Sequence, residues 1–483
     1  MTELTVAVSR RRLTFATAIQ IGVRLVGALL GVVVAAVLAR SLSRPQFGEL
    51  ALALTITTLA GSLGDLGLKQ VAVREMARGP ERRSQIAGAL LAAQLVTGLV
   101  LALVGTGVAF ALMPGHEARL MAVFVMATMP VGAISGLAVA SQARLRPDLV
   151  IAPMLVQNLI WLGVVLALAA TGGSLALYGV GAFGAAVVQA AVAAAIAVRV
   201  TRVSFSGSGG LIVELLKLAW PLGLAGLFVT AYYRIDGVLL FHYRGATASA
   251  YYSAAYRFLD VLQIFPITVT GVLLPFLAAA ERGTDAAARR RRAFELAVIV
   301  LLAVAIPLAA LGAILAPGVV SLIYGGAYHR SILLLRILLP AFIPICLGYV
   351  LTSQLILHDM LRPYIAITSM GAVVNLAANV IGIPIGGAPV AAWATVGTEL
   401  VVMAAIAGWT KARLGLGLPL GRIGRCLIAT GVTAVAVWFL RSEPLEVGLI
   451  VAAIVYPPVL FGLRAVSLSE LRALLTREAA AHA

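Results

Sequence analysis

Charge is scarce in this chain. Asp, Glu, Lys and Arg make up 11% of its 483 residues, while 61% are apolar and the mean hydropathy is +1.04. An ordinary soluble domain carries about a quarter charged residues, so the composition excludes a soluble enzyme and indicates an all-α polytopic membrane protein. Cysteine is scarcer still. Cys346 and Cys426 both lie in or beside apolar runs, which excludes a disulfide framework and a CxxC metal site. The histidines, His116, His242, His329, His358 and His482, fall at expected helix ends, loops or the tail and form no metal-spaced set. HExxH, GxxxxGK[ST] and GxSxG are also missing, so neither zinc hydrolysis, a phosphate-cradling loop nor a serine elbow has its residues. The reading is of a protein with no catalytic residues, no metal and no cofactor.

What charge there is is basic, with 36 Lys and Arg against 19 Asp and Glu, for a net charge of +17. The basic residues sit in short clusters between apolar stretches and make no continuous face, so nucleic acid is not the expected partner. The stretches number fourteen, at about 14–40, 46–68, 85–112, 119–141, 149–170, 174–198, 214–241, 248–279, 294–316, 331–357, 364–385, 389–410, 424–440 and 447–463. Each is long enough to cross a hydrocarbon core roughly 30 Å thick. RRR at 10–12 resembles the start of a signal peptide, but the run after it is long, carries Arg24 and lacks a small-residue cleavage site, so it reads as a retained helix.

Placing the N-terminus in the cytoplasm puts 26 of the 36 basic residues on one side, 7 on the other and 3 (Arg24, Arg234 and Arg257) inside helices. That asymmetry fits the positive-inside rule with both termini cytoplasmic. The inward segments at 69–83 and 281–292 read as basic loops. The outward ones are short, the longest being PGVVSLIYGGAYHR at 317–330. A membrane glycosyltransferase or polymerase needs a sizeable outward loop for its acceptor, and none is available.

A repeat runs through the chain. SQARLRPDLVIAPM at 141–154 and SQLILHDMLRPYIAITSM at 353–370 share SQ, then LRP, then Met seven residues after the Pro. The copies are 212 residues apart at SQ and 216 at LRP. An even number of helices separates them, so they share an orientation, as expected of two parallel lobes with a site between them near the midplane. The expected division is a six-helix lobe at 1–205, a second at 206–415, and two extra helices with a cytoplasmic tail at 416–483.

LARSLSRPQFGELALALTITTLAGSLGDLGLKQVAVREMAR at 38–78, YYRIDGVLLFHYRGATASAYYSAAYRFLD at 232–260 and IYGGAYHRSILLLRILLPAF at 323–342 resemble the O-antigen and exopolysaccharide flippases. These belong to the multidrug, oligosaccharidyl-lipid and polysaccharide exporter superfamily. The resemblance runs over nearly the whole chain and implies a transporter of the cytoplasmic membrane that moves a polyprenyl-pyrophosphate-linked oligosaccharide outward by alternating access. Its partners would be that substrate, membrane lipids and the polysaccharide polymerase or export machinery. The alternative within the superfamily is a cation-coupled exporter of organic cations. A scaffold subunit with the same fold is a third reading.

The ionisable residues inside the spans that bear on function are Arg24, Arg234, Asp236, Arg257, Asp260 and Glu399. Each costs roughly 2.5–3.5 kcal/mol at a bilayer centre unless paired or solvated. Gln20, Arg24, Gly27 and Gly31 share one face of the first helix, and Tyr252, Tyr256, Asp260 and Gln263 share one of the eighth. Arg24, Arg234 and Arg257 are the candidates for pyrophosphate, because a planar guanidinium fork grips phosphate oxygens in pairs and stays charged. Arg257 and Asp260, three apart, can also pair along their helix. Arg234 and Asp236 are two apart and face different partners. Asp236, Asp260 and Glu399 are candidates for ion coupling or pairing, with Asn375 or Asn379 as a hydrogen-bond partner for Glu399. Gln20, Tyr233, Tyr252, Tyr256, Gln263 and Asn375 are candidate cavity or sugar-lining residues. Asp65 reads as shaping a turn.

Overall fold

The computed structural model describes residues 22, 26–139, 141, 147–200, 202–279, 286–467 and 470. Within the hydrocarbon no water is available to backbone amides, so each segment must satisfy its own; among the described residues every apolar run is helical and no strand occurs. Twelve helices are long and apolar enough to cross a membrane, and Val26–Ser41 is a shorter apolar helix. By contacts the chain divides into two compact units, 1–253 and 254–483.

The first unit begins with α1 (Val26–Ser41) and α2 (Arg44–Asp65). Ser43 starts α2 with a capping box: its Oγ accepts from the Gln46 amide while the Gln46 side chain accepts from the Ser43 amide, which satisfies two otherwise orphaned donors. After Asp65 the chain turns through Leu66 and Gly67, both left-handed at φ 39° and 78°, into α3 (Leu68–Arg78). The expected basic loop at 69–83 is therefore a helix for most of its length. Leu68, Val71, Ala72 and Met76 recur at helical spacing and are buried, while Lys69, Arg74 and Arg78 stay exposed, so the amphipathic pattern outweighs the charge. Then come α4 (Arg83–Leu112), α5 (His116–Ser135), α6 (Pro147–Thr171) and α7 (Leu175–Val200). α5 packs on both α4 and α7, and α2 packs on α4 and α5.

α8 (Ser208–Leu262) has 55 residues but breaks at Gly245, whose φ of 78° and ψ of 178° are not helical. A straight helix would set Asp236 and Tyr252 about 24 Å apart. Their side chains are instead hydrogen-bonded, so the chain doubles back at Gly245 into two crossings. Ala246, just past this turn, lies so close to Gly48 of α2 that a Cβ on Gly48 would overlap the Ala246 carbonyl.

The second unit contains the end of α8, then α9 (Ile264–Ala279), α10 (Ala286–Tyr324), α11 (Arg330–Leu338), α12 (Phe342–Leu357), α13 (Leu361–Gly386), α14 (Ala388–Leu414), α15 (Leu420–Phe439) and α16 (Leu445–Gly462). The expected outward loop at 317–330 is mostly helix, because α10 continues through Pro317 to Tyr324. Arg289 to Arg292 likewise lie within α10 rather than in the expected loop at 281–292. α15 and α16 pack on α10, with Leu311, Leu315 and Val437 at the centre of the contact. Beyond α16, Arg422 donates to the Ala465 carbonyl at 3.0 Å and to Glu470 at 2.7 Å, and Arg425 donates to the Arg464 carbonyl.

The α2–α3 corner depends on a close backbone approach. A Cβ on Gly223 of α8 would overlap the Leu66 carbonyl, whereas one on Gly226 meets nothing within 4 Å. We expect Gly223→Val to cost about 1–3 kcal/mol and Gly226→Val to be tolerated, as read by thermal unfolding in detergent. The C-terminal latch titrates. Burial pushes the Glu470 carboxyl up, but the Ser467 amide and the Arg422 guanidinium outweigh it and hold the group below its ordinary value. A depressed carboxyl stabilises above its unfolded pKa and loses that contribution as pH falls through the folded one. Amide exchange at 464–467, corrected for intrinsic rates, should therefore rise on acidification below about pH 4.5, and Glu470→Gln should remove that dependence.

Candidate functional site

In the first unit the ionisable residues of α8 separate by depth. Asp236 is 1% exposed and Arg234 is half-buried. A carboxylate that deep requires donors. The Asp236 carboxylate accepts from the Gly237 amide at 2.7 Å and from the Tyr252 hydroxyl in a short bond. The Gly245 turn brings these two side chains together, 16 residues apart in sequence. Tyr252 is itself buried, so its hydroxyl is one anchor of the hairpin. Tyr233 is half-buried, with its ring 4.8 Å from that of Tyr232. Arg24 and Gln20 lie outside the described residues.

In the second unit Tyr256 is buried, while Arg257, Asp260 and Gln263 are half-buried. Arg257 Nε is buried without a hydrogen-bond partner among the described residues. The charges of Arg257 and Asp260 both act on Tyr324 at the end of α10. The Tyr324 ring sits edge-on to Phe258 at 5.9 Å and 5.5 Å from Tyr328. Tyr324 and Tyr328 belong to IYGGAYHR, which the sequence reading placed in a loop and left without a role. Aromatic residues at both ends of GGA were the available signal.

A second polar group joins α13 to α14. The Asn375 amide donates to Thr398 at 3.1 Å, and the Asn379 amide donates to the Asn375 carbonyl and side-chain oxygens, both at 2.9 Å. The sequence reading offered Asn375 or Asn379 as a hydrogen-bond partner of Glu399. Asn375 bonds the residue before it, because Thr398 is the side chain its amide meets across the helix contact. Glu399 is 4% exposed and acts electrostatically on Tyr349 of α12. Asn375, Asn379, Thr395 and Thr398 are all almost fully buried, so this is a polar seam between two helices.

The family model described as polysaccharide biosynthesis protein matches residues 16–281. Among solved structures, one of lipid II flippase MurJ in an inward closed conformation matches with a TM-score of 0.76 and 11% identity, covering 92% of this chain and 97% of that one. An inward-facing multidrug resistance MATE family transporter matches at 0.65 and 14%, covering 82% and 98%. A superfamily transporter from Pyrococcus furiosus, described as having a binding pocket of reverse polarity, matches at 0.59 and 15%, covering 83% and 95%. Comparison with curated proteins gives no match. At such identities the solved structures establish a shared fold. The family model covers more than half of the chain, which therefore belongs to the polysaccharide biosynthesis protein family.

Proposed function

We propose that the protein is a flippase that carries a polyprenyl-pyrophosphate-linked oligosaccharide across the cytoplasmic membrane by alternating access, for assembly of cell-surface polysaccharide. Its chain crosses fourteen times with both termini cytoplasmic, in the six-plus-six-plus-two arrangement read from the repeat. The observation that carries this reading is Arg257, a guanidinium whose Nε is buried with no hydrogen-bond partner among the described residues, in a chain of the polysaccharide family. Buried N–H groups are almost always satisfied, and a pyrophosphate oxygen supplies the acceptor that Arg257 lacks. Arg24 and Arg234 are the further candidates for the anion that the sequence offers. Polymerase or export proteins receive the flipped product.

Asp236 and Glu399 support a coupling role. Burial favours the neutral form of a carboxyl, so a carboxylate at 1% or 4% exposure is stable charged only with bound donors or a cation. The same two residues favour the second reading, a cation-coupled exporter of organic cations, whose fold is that of the MATE transporters.

Proteoliposomes containing only this protein distinguish the two. Outward exposure of a labelled polyprenyl-pyrophosphate oligosaccharide should depend on protein. It should fall at least about tenfold in Arg24→Ala and Arg257→Ala, as loss of one charged hydrogen bond of about 1.5–3 kcal/mol implies. Arg257→Lys should be intermediate, because it keeps the charge without the fork. Gradient-driven movement of organic cations with no movement of lipid-linked sugar would establish the exporter instead. Asp236→Asn should keep an acceptor for Tyr252 and so remain folded, while transport loses its dependence on a cation gradient. An unchanged gradient dependence would remove Asp236 from coupling.

A further inference from the structure

In the first unit, α6 and α7 carry no charged residue between Asp148 and Arg199, and their carboxamides are Gln157, Asn158 and Gln189. All three fall well inside the helices, which have 25 and 26 residues, at a depth where hydrocarbon offers an amide no partner. The packing of α6 on α7 brings them to one level. The helices run antiparallel across the turn at 172–174, and a Cβ on Gly181 of α7 would overlap the Val164 side chain of α6. Gln157 is about two turns back from Val164 and Gln189 about two turns on from Gly181, so both stand at the same depth. Asn158, the next residue, lies over α1: its side-chain nitrogen is 3.3 Å from where a Cβ on Gly27 would stand.

These side chains point away from lipid. On α6 the exposed residues Leu159, Gly163, Leu166 and Ala170 recur every three or four positions and mark the lipid side; Gln157 lies opposite that stripe and Asn158 one step round the helix from it. On α7 the stripe is Val180, Gly184, Val187 and Ala191, and Gln189 is turned well away from it. The inner face is nonetheless open at this level. Met154, on the Gln157 side of α6, is 45% exposed. The three carboxamides are half-buried, and none of their polar atoms is sealed from the surface. Among the described residues none of the three side chains has a hydrogen-bond partner. A carboxamide carries two donors and an acceptor, and leaving three of them idle in an apolar setting is costly, so this face borders water or a polar ligand. The absence of charge on both helices does not suit an ion, whereas groups that both give and take hydrogen bonds match sugar hydroxyl and acetamido groups, which do the same. We propose that Gln157, Asn158 and Gln189 hold the neutral sugar portion of the substrate and select among sugars, while the pyrophosphate is left to the arginines; this assignment rests on the flippase reading. A few convergent polar groups of this kind fix a ligand's orientation and specificity.

Cysteine labelling in proteoliposomes tests whether the face is wet. Cys346 and Cys426 are buried, so the wild-type protein is the blank. Asn158→Cys should react with a charged, water-soluble methanethiosulfonate and Leu159→Cys should not. A polyprenyl-pyrophosphate oligosaccharide should slow the Asn158→Cys reaction several-fold more than sugar-free polyprenyl pyrophosphate does. Transport tests what the amides hold. Gln157→Leu combined with Gln189→Leu keeps side-chain size and adds only apolar surface. It should lower movement of the oligosaccharide at least about tenfold more than movement of the sugar-free lipid, as loss of two neutral hydrogen bonds implies, whereas Arg257→Ala lowers both alike. An unreactive Asn158→Cys overturns the site, and so does an equal loss, or no loss, for the two lipids in the double variant. A wild type that moves neither lipid overturns the flippase reading and the sugar assignment with it, so the two failures are told apart.

Discussion

Hydrocarbon offers no hydrogen-bond partner, and most of this molecule follows from that. Backbone amides are satisfied inside helices, so connections are short and corners must be tight. Where the chain turns within or beside the apolar layer, side chains are removed to let backbone meet backbone. Gly223 against Leu66 and Gly48 against Ala246 are two such contacts. The same constraint governs the side chains. A carboxylate on a short stem cannot reach the interface, whereas an arginine can bend part of its length toward water. The carboxylates Asp236 and Glu399 are accordingly almost fully buried, while Arg234 and Arg257 are half-buried.

That difference in reach separates the candidate site residues into two kinds. Deep carboxylates held by a tyrosine hydroxyl and a backbone amide, as at Asp236, are sensitive to any change that alters their donors. Half-buried guanidiniums keep charge through such changes because arginine does not deprotonate. The proposed transport of an anionic lipid-linked sugar would use both: fixed cations for the phosphate and carboxylates whose charge is conditional.

Much of the fold was legible in the sequence. Length and hydropathy of each run settle whether it is helical in a membrane, and among the described residues each apolar run is helical. The two misread segments have separate causes. At 69–83 the density of charge concealed a helix whose buried face needs only Leu68, Val71, Ala72 and Met76. At 317–330 a proline and two adjacent glycines suggested a long loop, but Pro317 is accommodated inside α10. Of the candidate site residues, Asp236 and Glu399 were identifiable because a charge in an apolar run is conspicuous.

The sequence by itself determined the class of protein, the helical state of its spans and which charges would have to find company in lipid, since these depend on local composition and spacing. The tertiary structure decided who that company is. Asp236 meets Tyr252 only because Gly245 reverses the chain, Asn375 meets Thr398 only because α13 packs on α14, and Gln94 meets Asp65 only because α2 packs on α4. Hydrogen bonds act over about 3 Å, and no spacing along a single helix fixes a distance that short between two of them.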